Sequence, residues 1–366
     1  MKVVFDAYWW VAGPPSLRHV LREIVLGWGE LFPEDELTLV VRRAHLAAAM
    51  ADSPAGATLR ATALWPQALA ATRGVAVIAR EIDADLVVTH NFAAATKNSL
   101  STVYLHDVLF VTNPEWFTPI ERAYFSLMLR WIARANLVFS STRSEGTRIT
   151  DNTRARVVLP VGLGLSKELV TDGLPEDPDP SLSPRSFVLT VGRLNARKNL
   201  RGVIDAALAS GRISADRPLV IVGSPNGKSA ALGDTAAAAI AEGLVRFTGF
   251  ASEERLRWYY RNTSLFVFLS LGEGFGMPPV EAAYFSATTL VSDLPVFHET
   301  LGDHALYVDP TDHQAAATAI RVGVDAGESR IPPLRARASV ASQHDWHETV
   351  RTIRAASRDR LAEVRA

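Results

Sequence analysis

Leu271-Gly-Glu-Gly-Phe-Gly-Met-Pro-Pro-Val-Glu281 is the stretch on which the reading of the fold turns. It follows the apolar run Leu265-Phe-Val-Phe-Leu269, which has the character of a strand buried on both faces of a parallel sheet. It runs into a helical pattern from Pro278 to Phe285. Proline is tolerated at the first helical positions because those N–H groups have no intrahelical partner. Gly272, Gly274 and Gly276 allow a ligand to approach the backbone closely. Strand, glycine loop and helix N-terminus together make an anion site. The two carboxylates, Glu273 and Glu281, would repel phosphate, so their use is to accept hydrogen bonds from hydroxyls. Phosphates flanked on both sides by hydroxyl-bearing groups describe a nucleotide sugar. The plainer alternative is an acidic loop that only caps a helix.

Outward from this stretch the chain alternates strands and helices. In the second half, strands are expected at 187–191, 219–222, 245–247, 265–269, 289–292 and 305–308. In the first half they are expected at 2–5, 37–41, 59–63, 86–89, 102–105, 137–140 and 156–159. Such alternation predicts an α/β architecture of two doubly wound, Rossmann-like parallel sheets. At 366 residues two domains are expected. Between them lies Asp172-Gly-Leu-Pro-Glu-Asp-Pro-Asp-Pro-Ser-Leu-Ser-Pro184, whose prolines and acids cannot form a core element. This predicts a first domain over 1–171, a linker over 172–184 and a second domain over 185–344.

Apolar residues are 48% of the chain and the net charge is −1, which excludes a global attraction to nucleic acid. There is no cysteine, so disulfides and thiolate metal sites are excluded, and a cytoplasmic setting is expected. Met1 to Ala7 enters a strand directly and lacks the apolar segment of a signal peptide.

Ligands of open α/β sheets bind beyond the carboxyl ends of the strands. Four such places carry chemistry. Gly192-Arg-Leu-Asn-Ala-Arg-Lys-Asn199 follows a strand; Arg193 and Lys198 can hold a diphosphate and balance its charge without a metal. Arg197 reads as a solvated residue of that turn. The glycine loop is the second place. His106-Asp107 closes another strand, where the histidine either hydrogen-bonds a sugar or merely caps the strand end. Gly13, before Pro14 and Pro15, is the fourth, and Ser16 is the expected cap of a helix reaching Leu31. Val222-Gly-Ser-Pro-Asn-Gly-Lys-Ser229 resembles a P-loop but is one residue short in spacing. Asp177-Pro-Asp179 has the form of a metal-binding pair but lies in the linker and is read as solvated, and the spacing of His344, His347 and the acids near them fits no zinc signature. The helix expected over 120–133 carries Arg122, Arg130 and Trp131, with Arg134 directly after it. It either touches anionic lipid at a membrane surface or buries its aromatics in the core.

Gly192-Arg-x4-Lys-Asn199, Val245-Arg-Phe-Thr-Gly-Phe250, the Glu-x7-Glu of Glu273 and Glu281, and Asp293-Leu-Pro295 with Glu299 together resemble the retaining glycosyltransferases of family 4. In the first half, Tyr104-Leu-His-Asp107 and Asn113-Pro-Glu-Trp-Phe117 look like that family's acceptor-side segment. The resemblance implies the GT-B fold, two Rossmann-like domains facing a central cleft, with a final helix near 345–366 returning to the first domain. It implies that Arg193 and Lys198 bind the donor diphosphate and that Glu281 binds the ribose. Glu273 would hold the sugar with the backbone of Phe275, Gly276 and Met277, and His106 would lie near the reacting carbon. Loops near Phe250 and Ser224–Lys228 would contact the base. The paired glycines common in the family's first loop are reduced here to Gly13. No metal or cofactor is implied. The partners would be a nucleotide diphosphate sugar, with GDP-mannose as the donor expected, and a glycan or lipid-linked acceptor of surface polysaccharide synthesis. A nucleotide-sugar 2-epimerase of the same fold and a non-catalytic sugar-binding subunit are the rival readings.

Overall fold

The structure, a computed structural model, describes residues 1–171, 173–192, 195–223, 232–329 and 334–365. They divide into two compact units. The first comprises Met1–Pro114, Pro119–Gly164 and Asp345–Ala366, the second Glu115–Thr118 and Leu165–His344.

The first unit is built on seven strands: β1 (Lys2–Asp6), β2 (Glu36–Arg42), β3 (Thr58–Thr62), β4 (Leu86–His90), β5 (Leu100–Tyr104), β6 (Leu137–Ser140) and β7 (Val158–Pro160). Their order is β3-β2-β1-β4-β5-β6-β7, with all neighbours parallel. The central strands are apolar on both faces. Val3, Val4, Phe5, Leu86 and Val87 are wholly shielded from water, as expected where helices cover both sides. The strand order reverses between β1 and β4.

The helix Pro15–Leu31 buries Val20, Leu21, Ile24, Val25 and Trp28. Ser16 lies inside it and makes no cap; Pro15 begins the helix and has no N–H to satisfy. The final helix, Trp346–Arg365, packs on this one, and Asp35 joins them by accepting from Trp28 Nε1 at 2.9 Å and Arg354 Nε at 2.8 Å. The helix Pro119–Ile132 buries only Met128 and Ile132. Its aromatics are therefore not core residues: Tyr124 and Phe125 are half-buried against Phe92 and Phe110, and Ile120 is exposed.

The second unit holds β8 (Val188–Val191), β9 (Leu219–Val222), β10 (Val245–Gly249), β11 (Leu265–Phe268), β12 (Thr289–Ser292) and β13 (Leu306–Val308). The order β10-β9-β8-β11-β12-β13 is again parallel and reverses between β8 and β11. Residues 173–184 run along the helix Glu253–Asn262. Asp179 accepts from Tyr259 Oη at 2.7 Å, Asp177 from Arg255 Nε at 2.9 Å, and the Pro175 carbonyl from Arg257 Nε at 2.9 Å. The two aspartates read as solvated are thus tied to one helix. Among the described residues no helix is long and apolar enough to cross a membrane.

Candidate active site

In both units the polar groups gather where the strand order reverses, the place where open α/β sheets leave a crevice for ligands.

In the second unit this is the carboxyl end of β8 and β11. Beyond β11 the chain turns at Ser270 and enters the glycine loop, with Gly272 and Gly274 both buried. Glu273 between them points inward and is 5% exposed. Its Oε1 accepts from Lys198 Nζ and from Ser270 Oγ, each at 2.6 Å, and Arg197 lies 3.7 Å from Oε2. Burial alone would raise the Glu273 carboxyl, but the Arg197 and Lys198 charges and the two hydrogen bonds outweigh it and hold it down at about 2. It is a carboxylate at any physiological pH. Lys198 also sits over the Phe268 ring at 4.3 Å. Arg197 is therefore not a solvated turn residue. Its carbonyl accepts from Leu271 N at 2.7 Å, fastening the loop after β8 to the loop after β11.

Past Glu273 the chain reaches the helix Met277–Tyr284 through Gly276, whose φ is +88°. A Cβ there would stand 2.4 Å from Phe297 Cε1, so both conformation and space require glycine. Pro278 and Pro279 follow in the first turn, and the helix N-terminus faces the loop with the positive end of its dipole. Phe275 is buried and meets His344 edge-on at 5.4 Å. His344 in turn lies 2.9 Å from the Thr300 carbonyl, and among the described residues no His, Asp and Glu cluster forms a metal site. Met277 is half-buried at the first helical position. Glu281, in the second turn, accepts from Tyr260 Oη at 2.7 Å. Desolvation raises its carboxyl to about 7, with the Tyr260 hydrogen bond opposing and Glu253 adding to the rise.

Gly192, Gly223 and Gly249 fasten neighbouring strand ends together. Gly192 N donates to Val222 O at 2.9 Å, and Gly223 N to Gly249 O at 2.8 Å. A Cβ on Gly223 would fall 1.9 Å from Gly192 O. Phe250, next along, is 86% exposed. Arg193 and the P-loop-like residues 224–229 lie outside the described residues.

In the first unit the reversal point carries Asp6 at the end of β1 and His90 at the end of β4, with His106 just past β5. Gln67 Nε2 donates to Asp6 Oδ2 and to the His90 carbonyl, both at 3.2 Å. Burial raises Asp6 to about 6 against the hydrogen bonds it accepts from Gln67 and Tyr8 N. His90 Nδ1 and His106 Nε2 are 3.4 Å apart. The turn after His106 is held by Glu145, which caps Val108 N at 3.0 Å and pairs with Arg148. Burial foremost, then Asp107, raises Glu145 to about 8. Gly13 has φ +151°, and a Cβ there would stand 2.2 Å from the Trp9 ring, so its own unit accounts for the glycine.

Asp6, His90, Tyr260, Ser270 and the site position of Arg197 are absent from the sequence reading. Asp6 and His90 obey the rule that selected His106, a polar residue closing an apolar strand. Tyr260 and Arg197 join the site only by tertiary contact.

Residues 176–330 match the model of the glycosyl transferases group 1. The chain is 26% identical over 275 residues to the O-antigen chain mannosyltransferase B of Escherichia coli, spanning 72% of each. It is 27% identical over 237 residues to the O-antigen chain mannosyltransferase RfbU of Salmonella typhimurium, spanning 64% of this chain and 63% of that protein. Against the E. coli serotype-specific mannosyltransferase WbdA the match covers 27% of the relative's length. Among solved structures, sucrose-phosphate synthase of Thermosynechococcus elongatus superposes with TM-score 0.71 at 16% identity, covering 99% of this chain and 100% of that one. Anabaena HepE in complex with UDP-glucose gives 0.67 at 18%, covering 97% and 99%. At such identities the solved structures carry the fold alone. With residues 176–330 of the second unit matched by the glycosyl transferases group 1 model and both sheets doubly wound, the chain has the two Rossmann-like sheets of the GT-B fold, and its second unit is similar to the glycosyl transferases group 1.

Proposed function

We propose that the chain moves a hexose, with retention of configuration and without a metal, from a nucleotide diphosphate sugar to a glycan or lipid-linked saccharide acceptor. GDP-mannose is the donor to test first, because the relatives are named as mannosyltransferases. The observation that carries the reading is the Lys198–Glu273–Ser270 cluster at the β8/β11 reversal, beside a helix N-terminus. A cation and a carboxylate that is ionised at neutral pH, side by side, suit a ligand with phosphate at one end and sugar hydroxyls at the other.

In this proposal Lys198 and Arg193 hold the diphosphate, and the helix N-terminus at Met277 adds its dipole. Glu281 accepts from the ribose hydroxyls. Glu273 accepts from the sugar, with the backbone of Phe275, Gly276 and Met277 beside it. His106 serves the reacting end. The bond between the anomeric carbon and the phosphate oxygen breaks, and the acceptor oxygen bonds to that carbon on the same face. The acceptor's proton passes to the departing phosphate oxygen. The setting is the cytoplasm, at the inner face of the membrane.

A panel of nucleotide sugars tests this by thermal shift and by transfer to saccharide acceptors. The donor should raise the unfolding midpoint most, since ligand binding to the folded state stabilises it by mass action. Product should retain the donor's anomeric configuration and form in the presence of a chelator. Interconversion of the donor with no acceptor present would replace this reading with an epimerase, and the absence of a shift with every donor would remove it.

A further inference from the structure

We infer that His90 positions His106, and that the pair fixes the tautomer in which His106 carries its proton on Nδ1 as a hydrogen-bond donor. The inference rests on the reading of His106 as the residue at the reacting sugar.

His90 is the last residue of β4 and is 2% exposed. Its ring lies nearly parallel to that of His106, at 25° and 5.6 Å between centroids, and the Tyr104 ring closes on His106 edge-on at 4.9 Å. The backbone of His90 is anchored in turn, because its carbonyl accepts from Gln67, which also reaches Asp6. The hydrogen bond between His90 Nδ1 and His106 Nε2 can run either way. The second nitrogen of His90 decides the direction: Nε2 is buried and has no partner among the described residues. Were the proton on Nε2, a buried N–H would be orphaned. With the proton on Nδ1, only a lone pair goes unmet, and an unmet acceptor costs less than an orphaned donor. His90 therefore donates from Nδ1 to His106 Nε2. A neutral His106 that accepts at Nε2 carries its own proton on Nδ1.

Burial supports neutrality. It lowers His90 to about 4, and burial together with the neighbouring His90 lowers His106 well below its ordinary value. A neutral Nδ1–H donates to an oxygen of the sugar or acceptor and takes no proton from it. That agrees with a proton that leaves on phosphate.

The test uses the full chain labelled with 15N-histidine, with the two residues assigned by loss of signal in His90→Asn and His106→Asn. At neutral pH both rings should show the pattern of a proton on Nδ1. A proton on Nε2 of His106, or a doubly protonated ring, would overturn the inference. Kinetics give the second arm. His90→Leu should lower kcat about tenfold while the donor KM stays within about twofold, the effect of one lost positioning hydrogen bond. His90→Asn, whose amide nitrogen sits where Nδ1 does, should restore kcat to within about threefold of wild type. Equal losses in the two variants, tracking equal falls in unfolding midpoint, would reduce His90 to a packing residue. If His106→Ala transfers normally while the tautomers are as inferred, the placement of His106 at the sugar fails and the ring pair remains.

Discussion

Glu273 and Glu281 are eight residues apart, yet their surroundings drive them in opposite directions. Glu273 is buried against cations and hydroxyls and sits near 2, whereas Glu281 is desolvated with a single tyrosine donor and sits near 7. If Glu281 must be a carboxylate to accept ribose hydroxyls, donor affinity should weaken as pH falls from 8 to 6. Isothermal titration across that range checks this. Tyr260→Phe removes the hydrogen bond that lowers Glu281, so the profile should shift to higher pH, with a stability loss of about 1 kcal/mol. For Glu273 the folded value lies below the unfolded one. Its contribution to stability is present above about 4.5 and is lost as pH falls toward 2. It amounts to something on the order of 3 kcal/mol, and urea unfolding between pH 6 and 3 should show it shrinking in wild type and absent in Glu273→Gln. Lys198→Ala takes the nearer cation from that buried carboxylate and should cost roughly 3 kcal/mol as well as most donor affinity.

The loops behave as units because glycines let them touch. Gly276→Ala would push a methyl into Phe297 at a positive φ, and Gly223→Ala would push one into the Gly192 carbonyl. The second is the harsher change, since a backbone oxygen cannot rotate away as a ring can. Both should lower the unfolding midpoint by an amount matching about 1–3 kcal/mol, and Gly223→Ala should in addition abolish donor binding in titration. At this scale the glycine loop is legible in the sequence: three glycines, two prolines and an apolar strand leave few conformations. Arg197 is not, because a basic residue in a turn is usually solvated. Only the arrival of Glu273, far along the chain, changes its environment. His90 is illegible for a similar reason: one histidine at a strand end is ordinary, and its meaning appears only when β5 brings His106 beside it. The aromatic helix Pro119–Ile132 shows the converse, since helical periodicity of large side chains did not make them core residues.

On the scale of the molecule, the two sheets were legible because their strands are continuous apolar runs separated by helical patterns, a sign that survives ignorance of every contact. The point at which the chain passes between units was harder. Composition draws the eye to the prolines of 172–184, whereas the contacts change sides at Gly164 and Leu165, where Leu165 and Leu169 are already buried in the second unit. Arg354→Ala would test the return at the other end. It removes the guanidinium from Asp35, which remains bonded to Trp28, and should destabilise the first unit by about 2–3 kcal/mol while leaving nucleotide-sugar affinity within about twofold. That return has a consequence for how the protein is made. Leu165–His344 is an insertion in the first unit, whose helix Trp346–Arg365 supplies Trp346, Val350, Ile353 and Leu361 to its core. A ribosome therefore releases every residue of the second unit before the first can close. Nascent chains halted shortly after residue 344 has emerged should carry a protease-resistant second unit tethered to a first unit still open to cleavage, the reverse of the usual amino-to-carboxyl order.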